Sequence, residues 1–345
     1  MKQRDIPLDI LRVLACIMVV AVHSPLPSEN ANGMFLTALS YFAAPCIGLF
    51  FMISGALLLP VKGDYVTFLK RRLGKIIWPT VIWTIIYIAL NLSKNPDRVN
   101  ILQTLLSVPF SAQGHGVLWF MYTLTGLYLI APLLSPWLEK ASKKDLQIVM
   151  ALWALTLCYP VLEELVGIRI DESQTGALYY FGGYAGYFLL GYYLKNYPDS
   201  IPFPIAAFVA VAGIAGLLLT KWFNVDIDFY RMFWLLSIFI VALCVVVWKS
   251  VVFIVKYLSV KELRLTVRIS NLSFGIYLCH ILIMREILWN ISLIRSIDNY
   301  ILQSFVIFGL TFILSVAVCE FLSRMPFAQF IIAYKKTRRE RNLPS

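Results

Sequence analysis

The chain has 345 residues, 60% hydrophobic and only 14% charged, with a mean hydropathy of +0.77. Soluble domains run near ~45–50% apolar and ~25% charged, so a soluble globular or disordered chain is excluded and an integral membrane protein remains. A net charge of +11 would suit a nucleic-acid binder, but the placement of the charges argues against one. A spanning helix needs about 20 mainly apolar residues. The stretches that qualify are, in order, 8–25, 34–60, 75–92, 117–138, 146–166, 177–195, 202–222, 230–254, 269–291 and 300–322. No connection between them is long enough for a folded soluble domain. The fold class read from the chain is therefore an all-α integral membrane protein of about ten transmembrane helices. It forms one membrane domain over 1–345, with a basic tail from 322 to 345.

If the N-terminus lies inside, 23 of the 30 Lys and Arg fall on inside segments and seven on outside ones. That asymmetry is the positive-inside rule, and it predicts that both termini are cytoplasmic and that nucleic acid is no partner. The six cysteines (16, 46, 158, 244, 279 and 319) all lie in apolar stretches without paired spacing. They are expected to act as small buried hydrophobes, with neither disulfides nor a metal site. Arg12 interrupts what would be the core of a signal peptide, so the first span is read as retained.

The first span carries the most informative pair. Arg12 and His23 are separated by an apolar run, and eleven residues at about 100° each return to one helical face about 16 Å farther on. An arginine at mid-bilayer costs about 2.5–3.5 kcal/mol, so intramembrane ionisable groups are functional candidates. Asp9, one turn before Arg12, makes a structural ion pair the plainer account of that end. His23 would otherwise simply close a helix at the interface. Imidazole is suited to accepting a proton, since it titrates near neutrality.

Further on, the second span ends in Phe50-Phe51-Met-Ile-Ser54-Gly55, where aromatics fill space and Ser and Gly allow close helix approach. Ser54 is also placed to donate to a substrate carbonyl. The segment after it, read as a loop, carries Lys70, Arg71, Arg72 and Lys75. These residues suit topology and anionic lipid, and equally the phosphates of a nucleotide-bearing donor. The fourth span opens with Leu118-Trp119-Phe120; Trp119 is either an interfacial belt residue or a sugar-stacking one. The sixth sets Gly182, Gly183, Gly186 and Gly191 among six tyrosines. In the ninth, Ser273, Tyr277 and His280 recur at i, i+4 and i+7 and share one face, as lining of a cavity or as a hydrogen-bond network. Arg285 and Glu286 lie farther out, to meet an acceptor or each other. His115 sits in an outer loop, either solvated or on the acceptor side, and Glu320 lies in the last span with no partner evident from sequence.

These landmarks together resemble the bacterial membrane acyltransferases of acyltransferase family 3, which O-acylate cell-envelope and secreted glycans. The family's Arg-ten-residues-His signature falls on Arg12 and His23, and its Phe-Phe-x-x-Ser-Gly signature on Phe50, Phe51, Ser54 and Gly55. Its basic motif falls on Arg71, Arg72 and Lys75, and its Leu-Trp-Phe and Ser-x-x-x-Tyr-x-x-His patterns on 118–120 and 273–280. Two departures stand out. Gly116-Val117 separates His115 from Leu118, and Arg72-x-x-Lys75 replaces a bidentate fork by a point charge. The length is similar to that of stand-alone members such as the enterobacterial common antigen O-acetyltransferase.

The resemblance implies a multi-pass protein of the bacterial cytoplasmic membrane. It implies acetyl-CoA, or another acyl-CoA, as donor and a hydroxyl of a glycan or lipid-linked sugar as acceptor. His23 would be general base or acyl carrier and Arg12 would orient the donor. Arg71, Arg72, Lys75 and Ser54 would hold that donor, and Trp119, Ser273, Tyr277, His280 and Arg285 the substrate. The rival reading is a transporter or flippase of a lipid-linked glycan. Its expected Gly/Pro-interrupted spans in corresponding halves are not found in the sequence.

Overall fold

The structure, a computed structural model, describes residues 4–29, 31–94, 101–110, 118–167, 170, 174–258 and 263–334. Among these residues it is helical without strands, and nine helices are long and apolar enough to cross a membrane. The protein is a multi-pass all-α membrane protein.

Helix α1 (Ile6–His23) starts with Pro7, which sacrifices no intrahelical bond in a first turn, and Asp9, which faces the positive end of the helix dipole. The second span is two helices, α2 (Gly33–Ala43) and α3 (Pro45–Leu58), because Pro45 opens a new helix where the old one ends. The basic segment expected as a loop is instead the start of α4 (Tyr65–Lys94), a single helix of 30 residues that continues through Pro79. Lys, Arg and Leu are strong helix formers. Asp64 accepts from the Thr67 backbone N–H at 2.7 Å at the helix start, and these Thr67 hydrogen bonds hold its carboxyl below the usual carboxylate range.

A short helix α5 (Ile101–Ser107) precedes α6 (Trp119–Lys140) and α7 (Lys143–Val166). The sixth expected span departs from a full-length helix. A 3-10 turn at Tyr179–Phe181 leads through Gly182 and Gly183 into α8 (Ala185–Asn196), only 12 residues long. Gly183 has φ +81°, a left-handed conformation that ends helical continuity there. The short helix and its lead-in still carry the chain from end to end. Tyr184 meets Trp119 at the start of α6, and Lys195 meets Asp5 at 3.2 Å before α1.

The remaining elements are α9 (Phe203–Trp222), α10 (Phe229–Met232), α11 (Ile238–Ile254), α12 (Leu263–Leu282), α13 (Ser292–Arg295), α14 (Tyr300–Ser323) and α15 (Ala328–Ile331). The eighth expected span is thus broken at 233–237, and the ninth ends in a π-helical turn, Ile283–Ile287.

Two helix contacts position the site. Helix α1 packs chiefly on α12 and α3, and α3 in turn on α8. At the second contact the backbones nearly touch. A Cβ added to Gly55 would lie 1.7 Å from the Phe188 carbonyl oxygen, and one added to Gly191 would lie 1.8 Å from that of Met52. In lipid, where apolar burial between helices contributes little, such close packing supplies the attraction. Arg4, Arg12, Arg72, Lys75, Lys195 and Arg268 gather at one end of the bundle through the contacts described below.

Candidate functional site

At the basic end, Asp9 is almost fully buried and surrounded by donors. It accepts from the Ser270 hydroxyl at 2.6 Å and from the Arg4 guanidinium, and pairs with Arg12 Nη1 at 3.6 Å. Arg12 also donates to Ser270 at 3.2 Å, and Arg4 to Asn271 at 2.8 Å. A buried carboxylate is tolerated only when it is paired and hydrogen-bonded in this way. The network ties the start of α1 to α12.

Beside it lies a cavity of about 360 Å³, lined by Arg12, Ser54, Arg72, Lys75, Ser273 and Tyr277 among others. Helix α6 supplies one wall through Phe120, Leu124 and Tyr128, which recur at helical spacing. Tyr128 shares the cavity lining with Ser54, Arg12 and Arg72. Of the three basic-motif residues, Arg72 and Lys75 reach the cavity. Arg71, one position earlier on α4, turns outward and is exposed.

Toward the opposite end, the α12 stripe continues. Ser273 donates to the Ser270 carbonyl at 2.9 Å, and the Tyr277 ring packs against Phe120 with ring centres 5.3 Å apart. The Tyr277 and His280 rings are 5.8 Å apart, and His280 stands 5.6 Å from His23, centroid to centroid. His280 Nδ1 lies 2.6 Å from the Tyr277 carbonyl oxygen. A carbonyl only accepts, so Nδ1 carries the proton and Nε2 the lone pair. Nε2 is buried and has no hydrogen-bond partner among the described residues. The two histidines, 257 positions apart in the chain, thus lie ring against ring, and His280 brings an acceptor lone pair to the pair.

Beyond them, Arg285 is exposed, with its guanidinium 5.4 Å from the centre of the Trp289 ring. It does not pair with Glu286, which instead binds Lys94 at 2.5 Å. Trp119 rests on Tyr184, ring centres 5.5 Å apart. His115 lies outside the described residues. Glu320 finds its partner in Arg268, at 2.6 and 2.8 Å. Arg268 also binds the Tyr334 hydroxyl at 2.7 Å, and Tyr334 lines the cavity. Among the described residues no group of three or more His, Cys, Asp or Glu is arranged to hold a metal ion.

Sequence reasoning missed Arg4, Tyr128, Ser270, Asn271, Arg268 and Tyr334. A hydroxyl within an apolar span was the one signal available for Tyr128 and Ser270. Chemically, the site combines cations able to grip phosphate with an imidazole pair able to accept a proton.

A family model described as an acyltransferase domain matches residues 6–320. The chain belongs to acyltransferase family 3. No curated protein and no solved structure matches it. As an acyltransferase it moves an acyl group from a donor to an acceptor. The matched span contains both ends of α1, the cavity wall at Ser54 and the α12 stripe.

Proposed function

We propose that this acyltransferase is an O-acetyltransferase taking its acyl group from acetyl-coenzyme A and passing it to a hydroxyl of a cell-surface glycan or lipid-linked sugar. One observation carries the reading. Arg12 and His23 share a face of α1, the first on the wall of a cation-bearing cavity and the second against His280.

In this reading the basic end is cytoplasmic, as are both termini, and the membrane is the bacterial cytoplasmic membrane. Arg72, Lys75 and Arg12 hold the donor's phosphates, with Arg71 at the mouth. The pantetheine arm runs past Ser54 and Ser273 and covers the roughly 16 Å of helix between Arg12 and His23. His23 removes the proton of the acceptor hydroxyl as its oxygen attacks the thioester carbonyl. A C–O bond forms, the C–S bond breaks, and the coenzyme A thiolate leaves and is protonated. An acyl-histidine at His23 would divide the same chemistry into two steps. Trp119 and Arg285, at the end opposite the cations, meet the acceptor sugar.

The test is thiol release from acetyl-coenzyme A by purified protein given an oligosaccharide acceptor, with the product weighed by mass spectrometry. Acetyl mass on the sugar is the expected result. Sugar movement across vesicles without thiol release would replace this reading by a transporter.

A further inference from the structure

The cavity stops short of the histidines. On α12 its lining includes Ser273 and Tyr277, whereas His280 lies one turn, about 4.5 Å of rise, farther on. On α1 it includes Arg12 but not His23, and on α6 it reaches Phe120 but not Trp119. Three aromatic rings meet at this level. Phe120 is 5.6 Å from Phe50 and 5.3 Å from Tyr277, centre to centre, and all three line the cavity. The contact of the Tyr277 and Phe120 rings joins α12 to α6. On its far side Tyr277 meets His280. The roof of the donor cavity is therefore a ring cluster, and the histidine pair stands directly beyond it.

Resting on the acyl-coenzyme A reading above, we infer that Phe50, Phe120 and Tyr277 form an acyl-length selector that admits short, uncharged acyl thioesters and turns away longer or carboxylated ones. A thioester sulfur beneath the roof must send its acyl carbon between these rings to reach His23. An acetyl group adds only a methyl beyond the carbonyl. Each further methylene must displace a packed aromatic ring, and close-packed interiors resist added volume. A succinyl carboxylate would enter an aromatic layer remote from the cavity's cations. Arg12 and Ser270 sit about 10 Å down the α12 axis from Tyr277. A carboxylate stripped of water without a partner is strongly disfavoured.

The experiment is an acyl-length series on detergent-purified protein given the same oligosaccharide acceptor, reading thiol release from acetyl-, butanoyl-, hexanoyl- and succinyl-coenzyme A. A single methylene in an apolar site discriminates by about 10- to 200-fold, so the wild type should prefer acetyl to butanoyl by at least about tenfold. Phe120→Leu should raise the butanoyl-to-acetyl ratio of kcat/KM by about tenfold or more, and Phe120→Ala should extend the range to hexanoyl. Phe120→Leu is the milder change, and its melting temperature verifies that the fold persists.

The same series with S-ethyl-, S-butyl- and S-hexyl-coenzyme A thioethers, read by calorimetry, measures the selector without any chemistry. Wild-type affinity should fall with alkyl length, and the variants should flatten that fall. If no thioester turns over in any protein, the His23 chemistry is refuted while the thioether series still decides the selector. A wild type indifferent to acyl length, or a length profile unmoved by both substitutions in folded protein, overturns the inference.

Discussion

The two ends of α1 are built on opposite plans. At the Arg12 end the buried carboxylate is fully answered. Asp9 takes bonds from Arg4 and Ser270 and an ion pair from Arg12, and Arg12 is bonded to Ser270 as well. At the His23 end the polar atoms are under-used, since His280 keeps a buried Nε2 lone pair with no partner among the described residues. A satisfied network holds its members in place, whereas an unsatisfied buried acceptor costs stability and persists where it has work to do. In the function proposed above, the first end anchors and holds the donor and the second transfers the proton.

The largest expected effect breaks the second end. His23→Asn should lower the rate of acyl transfer about 10²- to 10⁴-fold, while calorimetry finds coenzyme A binding unchanged. The wild-type rate should rise with pH as the base becomes neutral, and that rise should vanish in His23→Asn. An active His23→Asn protein would move the base to His280.

The next effect breaks the first end through stability. Asp9→Ala leaves Arg4 and Arg12 without their shared counter-charge, and removing one member of a buried ion pair costs about 3–5 kcal/mol. A large fall in melting temperature in detergent should follow. Asp9→Asn, which keeps an acceptor for Ser270, should recover part of it.

A smaller change separates neighbours on α4. Arg72→Ala should weaken coenzyme A binding by about 10- to 100-fold, the worth of one or two charged hydrogen bonds. Arg71→Ala should weaken it by less than about twofold, because that side chain is exposed and does not line the cavity. Equal losses would mean that the cations act as a general field rather than as a site. The smallest effect is at Lys94, whose ammonium is half exposed on Glu286. Lys94→Met should change stability by no more than about 1 kcal/mol.

What was legible in the sequence was whatever follows helical period within one span. The shared face of Arg12 and His23, and of Ser273, Tyr277 and His280, needs only the 100° step, and the structure puts both stripes on one path. Arg71 against Arg72 could not be settled that way. The two differ by a single step around α4, and the choice belongs to whatever α4 packs against. Partners far apart in the chain were equally hidden. Glu320 is answered by Arg268 52 positions earlier, and Tyr128 looks like any core tyrosine until it is seen to line the cavity with Ser54. The short α8 had a visible cause, Gly182-Gly183, but apolar composition alone favoured a full-length span. Loop and helix were confused at 65–75 because charge marks the membrane boundary and says nothing of where a helix begins.

Helix α4 has a mechanical side. Its 30 residues rise about 45 Å, half as long again as the roughly 30 Å hydrocarbon layer. Arg72 and Lys75 ride near one tip, at the mouth of the cavity. Lys94 terminates the other, clamped to Glu286 six positions past His280. In the function proposed above, one rod therefore spans the distance from the place where the donor's charge arrives to the neighbourhood where its acyl group departs. Its weakest joint is Pro79, buried four residues beyond Lys75, where the ladder of backbone bonds lacks a rung.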